Sequence, residues 1–448
     1  MKRWAWLLFA VPAVLGSIVF VLVLVVVLVL GRDGDPPDTA DLAVERAEVA
    51  DADNAYTHFV VAAAAIDWPK DGKLLRAILD GEKRDPEYVA EFLARNEKVF
   101  PLIERGLPCD ICQLPEVHGI DDDHEPVYKC RSLGDLLSLK SRQHRAAGQF
   151  AEAAETCVQL IRLGTLIQAN PEDLIHFLVG NGILGMGLDE ARRLAATQDL
   201  SADELATLSG HLARIESPEP ALVRAFKKEY KITSNTIDDI RDGKIGEECV
   251  RGARRMYHFQ PNETRRIAAE LYRKFIANAL KTRAQMEPID LDELVGHERG
   301  KAAFMLSPNQ VGRIFLDLLL PSHHALLQAK CRGQGELAAT RLIVACRRYE
   351  IDHGELPPTL DALVPEYLDA VPIDPFDGKP FRYVREKAIV YSVDKDLVDS
   401  GGSEKSTGPE DSEEERGPLW ATDDAVFYIH GRPEKPEPSD SEKDETEP

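Results

Sequence analysis

The sequence lacks the short strings that announce common enzyme chemistry. None of its 448 residues forms an HExxH zinc-protease helix, a GxSxG nucleophile elbow or a phosphate-binding Gly-Lys loop. Their absence points away from those reaction types, although a triad assembled from distant residues leaves no such string. Aromatic side chains are also scarce. They make up 7% of a chain that is 44% apolar, a balance that suits Ala/Leu-rich helices better than a large sheet. Positive charge is short too. Lys and Arg number 54 against 77 Asp and Glu, for a formal net charge of -23. Such a chain repels nucleic-acid phosphates and anionic lipid head groups, so no nucleic-acid partner is expected. Cysteines number seven, so at least one thiol has no disulfide partner within the chain. At this length two or three folding units are expected.

One long hydrophobic run is present. From Trp4 to Leu30 there is no charged residue. As a helix this run reaches about 40 Å, more than the ~30 Å hydrocarbon core of a bilayer. Lys2 and Arg3 precede it, while Arg32 beyond it is flanked by Asp33 and Asp35. The positive-inside bias then keeps the N-terminus in the cytoplasm and exports the rest. Trp4 and Trp6 fit an interfacial aromatic belt. A cleaved signal peptide has an apolar region of about 7–15 residues and a small-x-small site. This run is longer and ends LVLGRDG, so residues 1–31 are expected to be an uncleaved, single-pass anchor in inner-membrane lipid.

Residues 32–40 read as a polar linker, and helical patterning dominates from there to about Glu350. Leu42–Trp68 carries apolar residues at helical spacing, and Pro86 opens a second helix. Leu133–Ala147 and Phe150–Ala169 predict an antiparallel helix pair across Gly148. Asn170-Pro171 reads as a helix start, and Ser201 to Glu204 as a capping box. Further helices are expected at 219–240, 262–286 and 310–330, the last leading into 336–352. Ser322, before His323 and His324, reads as a helix cap. The run from Ala146 to Cys157 is similar to the inner turn of a tetratricopeptide repeat, through Gly148, Phe150 and Ala153, but no 34-residue period recurs. The helical region 41–334 is therefore expected to be an irregular array of α-hairpins.

Several clusters are candidate sites. Cys109, Cys112 and Cys130, with His118 and His124 between them, admit three readings: a disulfide, free thiols, or a tetrahedral zinc site. The acids Asp121–Asp123 beside them are either a solvated loop or cation ligands, without the spacing of a calcium loop. Gly180-Asn-Gly-Ile-Leu-Gly185 matches a dinucleotide-binding string, but it follows a helical stretch rather than a strand. Its glycines are expected to let two helices approach closely.

The region from Ala338 carries the most information. Ala338, Leu342, Ala345 and Tyr349 make a one-sided helical stripe that Gly354 ends. Leu356-Pro357-Pro358 cannot continue the helix, and Thr359 can start a short one. Asp374-Pro-Phe-Asp-Gly378 is a turn, and Phe381–Tyr383 with Ala388–Tyr391 predicts a hairpin. This order of motifs resembles the C-terminal head of the major pseudopilin of type II secretion systems. It is also similar to bacterial anchored proteins that join an Ala/Leu-rich helical region to such a head. The resemblance implies a small α+β head over 335–432. The acidic runs at 403–417, an insert in that head, and at 433–448, a tail, cannot bury apolar surface and are expected to be disordered. The resemblance further implies a calcium ion held by Asp396 with Asp423 or Asp424. The N-terminus lacks the family's peptidase site, so assembly into a fibre is not implied.

The expectation is thus a mainly α protein with an N-terminal transmembrane helix, a helical array and a pseudopilin-like head. Its expected function is that of an extracytoplasmic structural or interaction protein, with partners in an envelope or secretion assembly. The alternative is an anchored metal-dependent hydrolase built on the 109–130 loop.

Overall fold

A computed structural model describes residues 33–197, 200–244, 259–290, 293–294, 309–405 and 419–433. The proposed anchor, Cys249, most of the acidic insert and the acidic tail lie outside the described residues. Among the described residues no helix is long and apolar enough to cross a membrane. The chain is mainly helical, with one small three-stranded antiparallel sheet.

The first helices are α1 (Ala55–Ala64), α2 (Lys73–Leu79), α3 (Pro86–Arg95) and α4 (Phe100–Gly106). The Asn54 carboxamide accepts from Tyr56 N at 3.1 Å, and Asp85 caps α3, with Pro86 in the first turn. Both caps satisfy amides that have no partner inside the helix. Only 55–64 of the expected Leu42–Trp68 segment is α-helical. Residues 43–50 have no regular structure, and Asp51-Ala-Asp53 forms the turn that ends in the Asn54 cap. Phe59, Phe92, Ile103, Cys112 and Cys130 share one buried core with Leu133 and Leu137 of the next helix.

That helix is α5 (Glu125–Ala146), followed by α6 (Phe150–Ala169) and α7 (Leu174–Ala195). Gly148 turns the chain between α5 and α6 at φ 72°, as the hairpin pattern predicts. Helix α7 starts later than expected. Its cap is Asp173 rather than Asn170, and Asp173 Oδ1 accepts from His176 N at 2.7 Å. Helices α6 and α7 touch backbone to backbone. A Cβ on Gly164 would collide with Leu184 N, and one on Gly180 would sit 2.5 Å from Gln168 N. Gly180 therefore serves packing, as the sequence suggests.

Helix α8 (Ala202–Ala213) begins with the expected capping box, in which Ser201 and Glu204 cap each other's amides. Helices α9 (Glu219–Asp242) and α10 (Pro261–Ala279) pack around Phe226, Tyr272 and Phe275. Helix α11 spans Gln310–His353 without a break and ends at Gly354, φ 77°. Residues 321–324 lie inside this helix, so no helix starts at Ser322 as expected. Residue 335, the expected start of the head, also falls inside α11.

The head adds β1 (Arg382–Val384), β2 (Ile389–Ser392) and β3 (Ala425–Tyr428), in the order β1-β2-β3. Tyr383 pairs with Val390, and Val390 with Phe427. Head residues Phe376, Phe381, Val390 and Phe427 share a buried core with Leu342 and Cys346 of α11, Leu188 of α7 and Leu205 of α8. Apolar burial therefore runs unbroken from the helices into the head.

The glycine contacts yield a paired prediction. Gly164→Ala lowers unfolding free energy by about 1–3 kcal/mol, the usual cost of overpacking. Gly210→Ala, on an exposed face of α8 with nothing within 4 Å of its Cβ, raises it by up to about 1 kcal/mol. Chemical denaturation of the two variants checks both signs.

Candidate functional site

The link between α6 and α7 holds a dense set of buried charges. Glu172 is 1% exposed. One of its oxygens lies 2.6 Å from Arg46 Nη1, and the other 2.6 Å from Lys228 Nζ on α9. Arg224 approaches to 3.9 Å. Next to it, Asp173 Oδ2 meets His124 Nε2 at 2.6 Å. The Glu172 amide donates to His176 Nδ1 at 3.2 Å, which places that ring's proton on Nε2. Burial lowers the pKa of His176, while the Asp173 carboxylate acts in the opposite direction. Burial, reinforced by Asp173, pushes the Glu229 carboxyl up to about 7.

This knot ties together the segment before α1, the loop before α5, the α6–α7 link and α9. A His–Asp pair is half of an acid-base device, but no hydroxyl or thiol is hydrogen-bonded to His124 or His176 among the described residues. The sequence reading found His124 and missed Glu172 and Asp173, because Pro-Glu-Asp before an apolar run looks like an ordinary first helical turn. The one available signal was two adjacent acids at the start of a stretch that is buried on all sides.

The structure gathers Cys109, Cys112 and Cys130 in one neighbourhood as free thiols, the last two buried. Burial pushes Cys130 up to about 12 and Cys112 well above the usual thiol range. Burial thus favours the protonated thiol at both positions. The neighbouring acids bind backbone. Asp122 Oδ2 accepts from His118 N at 2.6 Å, and Asp123 Oδ1 from Glu125 N at 2.7 Å. His118 and His124 do not converge with the thiols. Among the described residues no group of three or more His, Cys, Asp and Glu side chains is placed to hold a metal ion.

That statement covers the calcium candidates Asp396, Asp423 and Asp424. Asp424 is buried and accepts from Gly402 N at 2.8 Å and Ser403 N at 3.1 Å. Asp423 accepts from Ser403 Oγ at 3.0 Å. Asp396 accepts from Val398 N within its own turn. The first two close one loop and the third closes another. As folded, this arrangement does not fit a calcium ion, because the best-buried carboxylate faces amide donors instead of an open coordination site.

Two other head aspartates matter more to the fold. Asp374 is fully buried and takes four donors: Phe376 N, Ser392 Oγ, Val393 N and Arg382 Nη1, all within 3.1 Å. Asp394 is equally buried, at φ 51°, and neither of its carboxylate oxygens has a hydrogen-bond partner. Burial pushes its carboxyl up to about 6.

Comparison of the chain with protein-family models, with curated proteins and with solved structures gives no match in any of the three.

Asp394 generates a pH prediction. Its folded pKa is raised, so the folded state holds the proton more tightly than the unfolded chain. The cost of ionising it is absent below about pH 4, grows between pH 4 and 6, and is constant above that. Asp394→Asn removes this cost. The variant is expected to be more stable than the parent at pH 8, by on the order of 2 kcal/mol, and to show little gain at pH 4. Denaturant titrations at the two pH values measure the difference.

Proposed function

We propose that the protein is a membrane-anchored, extracytoplasmic structural and interaction protein that presents a pseudopilin-like head on a helical array. The observation that carries this reading is the build of α11. One helix forms the last layer of the array and then supplies the stripe Leu342, Ala345 and Cys346 on which the head is packed. After it come a left-handed glycine, a Pro-rich turn and an antiparallel sheet, in the order of the motifs that carry the resemblance. In this reading the run Trp4–Leu30 is the anchor, inner-membrane lipid surrounds it, and the head faces protein partners of an envelope or secretion assembly.

The chemistry of the buried charges supports the same reading. Glu172, Asp374 and Asp424 hold segments together, and their lone pairs go to backbone amides and fixed cations. Calcium enters this proposal only through the resemblance, because binding would require Asp424 to release the amides of Gly402 and Ser403. The hydrolase reading of the 109–130 loop is the weaker one, because among the described residues its side chains form no group of three ligands.

Topology reporters on the full-length chain test the proposal. Alkaline phosphatase fused after Gly34, and separately after Arg432, is expected to be active, and a fluorescent protein that folds only in the cytosol is expected to be dark at both positions. Dark and bright exchanged at both positions would refute the extracytoplasmic assignment. Crosslinking in intact cells, followed by purification in detergent, then identifies which envelope proteins contact the head.

A further inference from the structure

Arginine gathers along the seam between α7 and the head, in a chain whose formal net charge is -23. Two adjoining concavities, of about 480 and 470 Å³, meet there across Asp189, Arg192 and Leu419. Arg145, Arg193 and Arg432 line the first, and Arg142 and Arg332 line the second. Carboxylates are interspersed among these cations. Glu190 serves both Arg142 and Arg145, at 2.6 and 3.7 Å, and Asp189 serves both Arg192 and Arg193. Glu336 gives Oε1 to the Trp420 indole and stands 3.8 Å from Arg192 with Oε2. Arg432 and Glu404 form a separate pair. Four guanidiniums thus share Asp189, Glu190 and Glu336, while Asp135 adds its charge beside Arg142 and Asp394 stands near Arg332 without an ion pair.

The second concavity has donors to spare. Arg142 spends only Nε on Glu190, and its two terminal nitrogens hydrogen-bond to no protein atom among the described residues. Arg332 makes no ion pair among the described residues. Its one hydrogen bond is Nη2 to Trp420 O at 3.3 Å, and its buried Nε has no acceptor. Leaving a buried guanidinium donor unsatisfied is costly, so such a group calls for an acceptor. Arg192 is held rigidly between them: Nη1 bonds Thr340 Oγ1 at 3.0 Å, and the guanidinium lies over the Phe427 ring at 5.3 Å. Gly182 and Gly185 on α7 and Gly333 on α11 also line this concavity, with Arg131 over Gly182, Glu336 over Gly185 and Asn181 over Gly333. Two glycines of the dinucleotide-like string therefore have a place that packing between α6 and α7 does not explain.

We propose that this cavity binds a small phosphorylated compound, with the phosphate group between Arg142 and Arg332 and the remainder along α7. Planar guanidinium forks match a phosphate oxyanion bidentately, and a partly enclosed site strengthens each charge-assisted bond. The volume exceeds that of inorganic phosphate alone, which leaves room for an organic portion. The ligand would bridge α5 to α11.

Isothermal titration of the full-length protein in detergent with inorganic pyrophosphate, at constant ionic strength, tests this. Saturable binding to one site is expected. Arg142→Gln and Arg332→Gln should each weaken it at least tenfold. Gly185→Val, which narrows the cavity beside Glu336 without changing charge, should weaken it by a similar factor. Arg105→Gln, on α4 away from the seam, should change it less than twofold. Circular dichroism melts show which variants are folded, and Arg142→Gln and Gly185→Val keep the test open should Arg332→Gln unfold. The proposal is overturned by the absence of saturable binding, by full affinity in folded seam variants, or by an equal loss in Arg105→Gln.

Discussion

The constraint on which the rest depends is that α11 is a single helix. It contributes Leu316, Leu326 and Leu327 to the core around Phe226 and Tyr272. Further along it contributes Leu342, Ile343 and Cys346 to the core shared with the head. A helix that belongs to two cores cannot bend between them without exposing one, at about 25 cal/mol for each Å² of apolar surface returned to water. The head is therefore a layer of the helical body rather than a bead on a linker. Trp420, stacked on Phe376 at 5.6 Å with its indole bonded to Glu336, closes the joint from the head side.

At the other end, the knot around Glu172 plays a comparable part by electrostatics. A buried carboxylate with cations on both oxygens is weak evidence of net stabilisation, but removing one partner strands a charge. The knot therefore specifies where Arg46, α7 and α9 meet more than it stabilises them. The Asp374 cluster has the same logic in the head, where one carboxylate fixes the turn, β2 and Arg382 together.

What the sequence revealed was local. Gly148, Gly354 and the Ser201–Glu204 box were legible because each acts within a few residues of itself, through φ or a cap. The head was legible because its turns and hairpin follow one another along the chain. Segment 43–50 was misread as helix because its apolar residues have helical spacing, while Arg46 is drawn to Leu114 O and Glu172 instead. The α7 start was misplaced by three residues because Asp173 and Asn170 are both good caps, and it is Asp173 that accepts from a helix amide. The seam cavity could not be read at all. Arg142, Arg192 and Arg332 are far apart in sequence, and each looks like an ordinary polar position on its own helix.

The central claim, that array and head are one body joined by α11, is tested most directly by hydrogen exchange on the full-length protein under increasing denaturant. Amides of α7, of α11 between Leu337 and Cys346, and of β2 are predicted to lose protection at one common free energy. Loss of protection in β2 at a clearly lower free energy than in α7 would show a separately unfolding head, and would contradict the account.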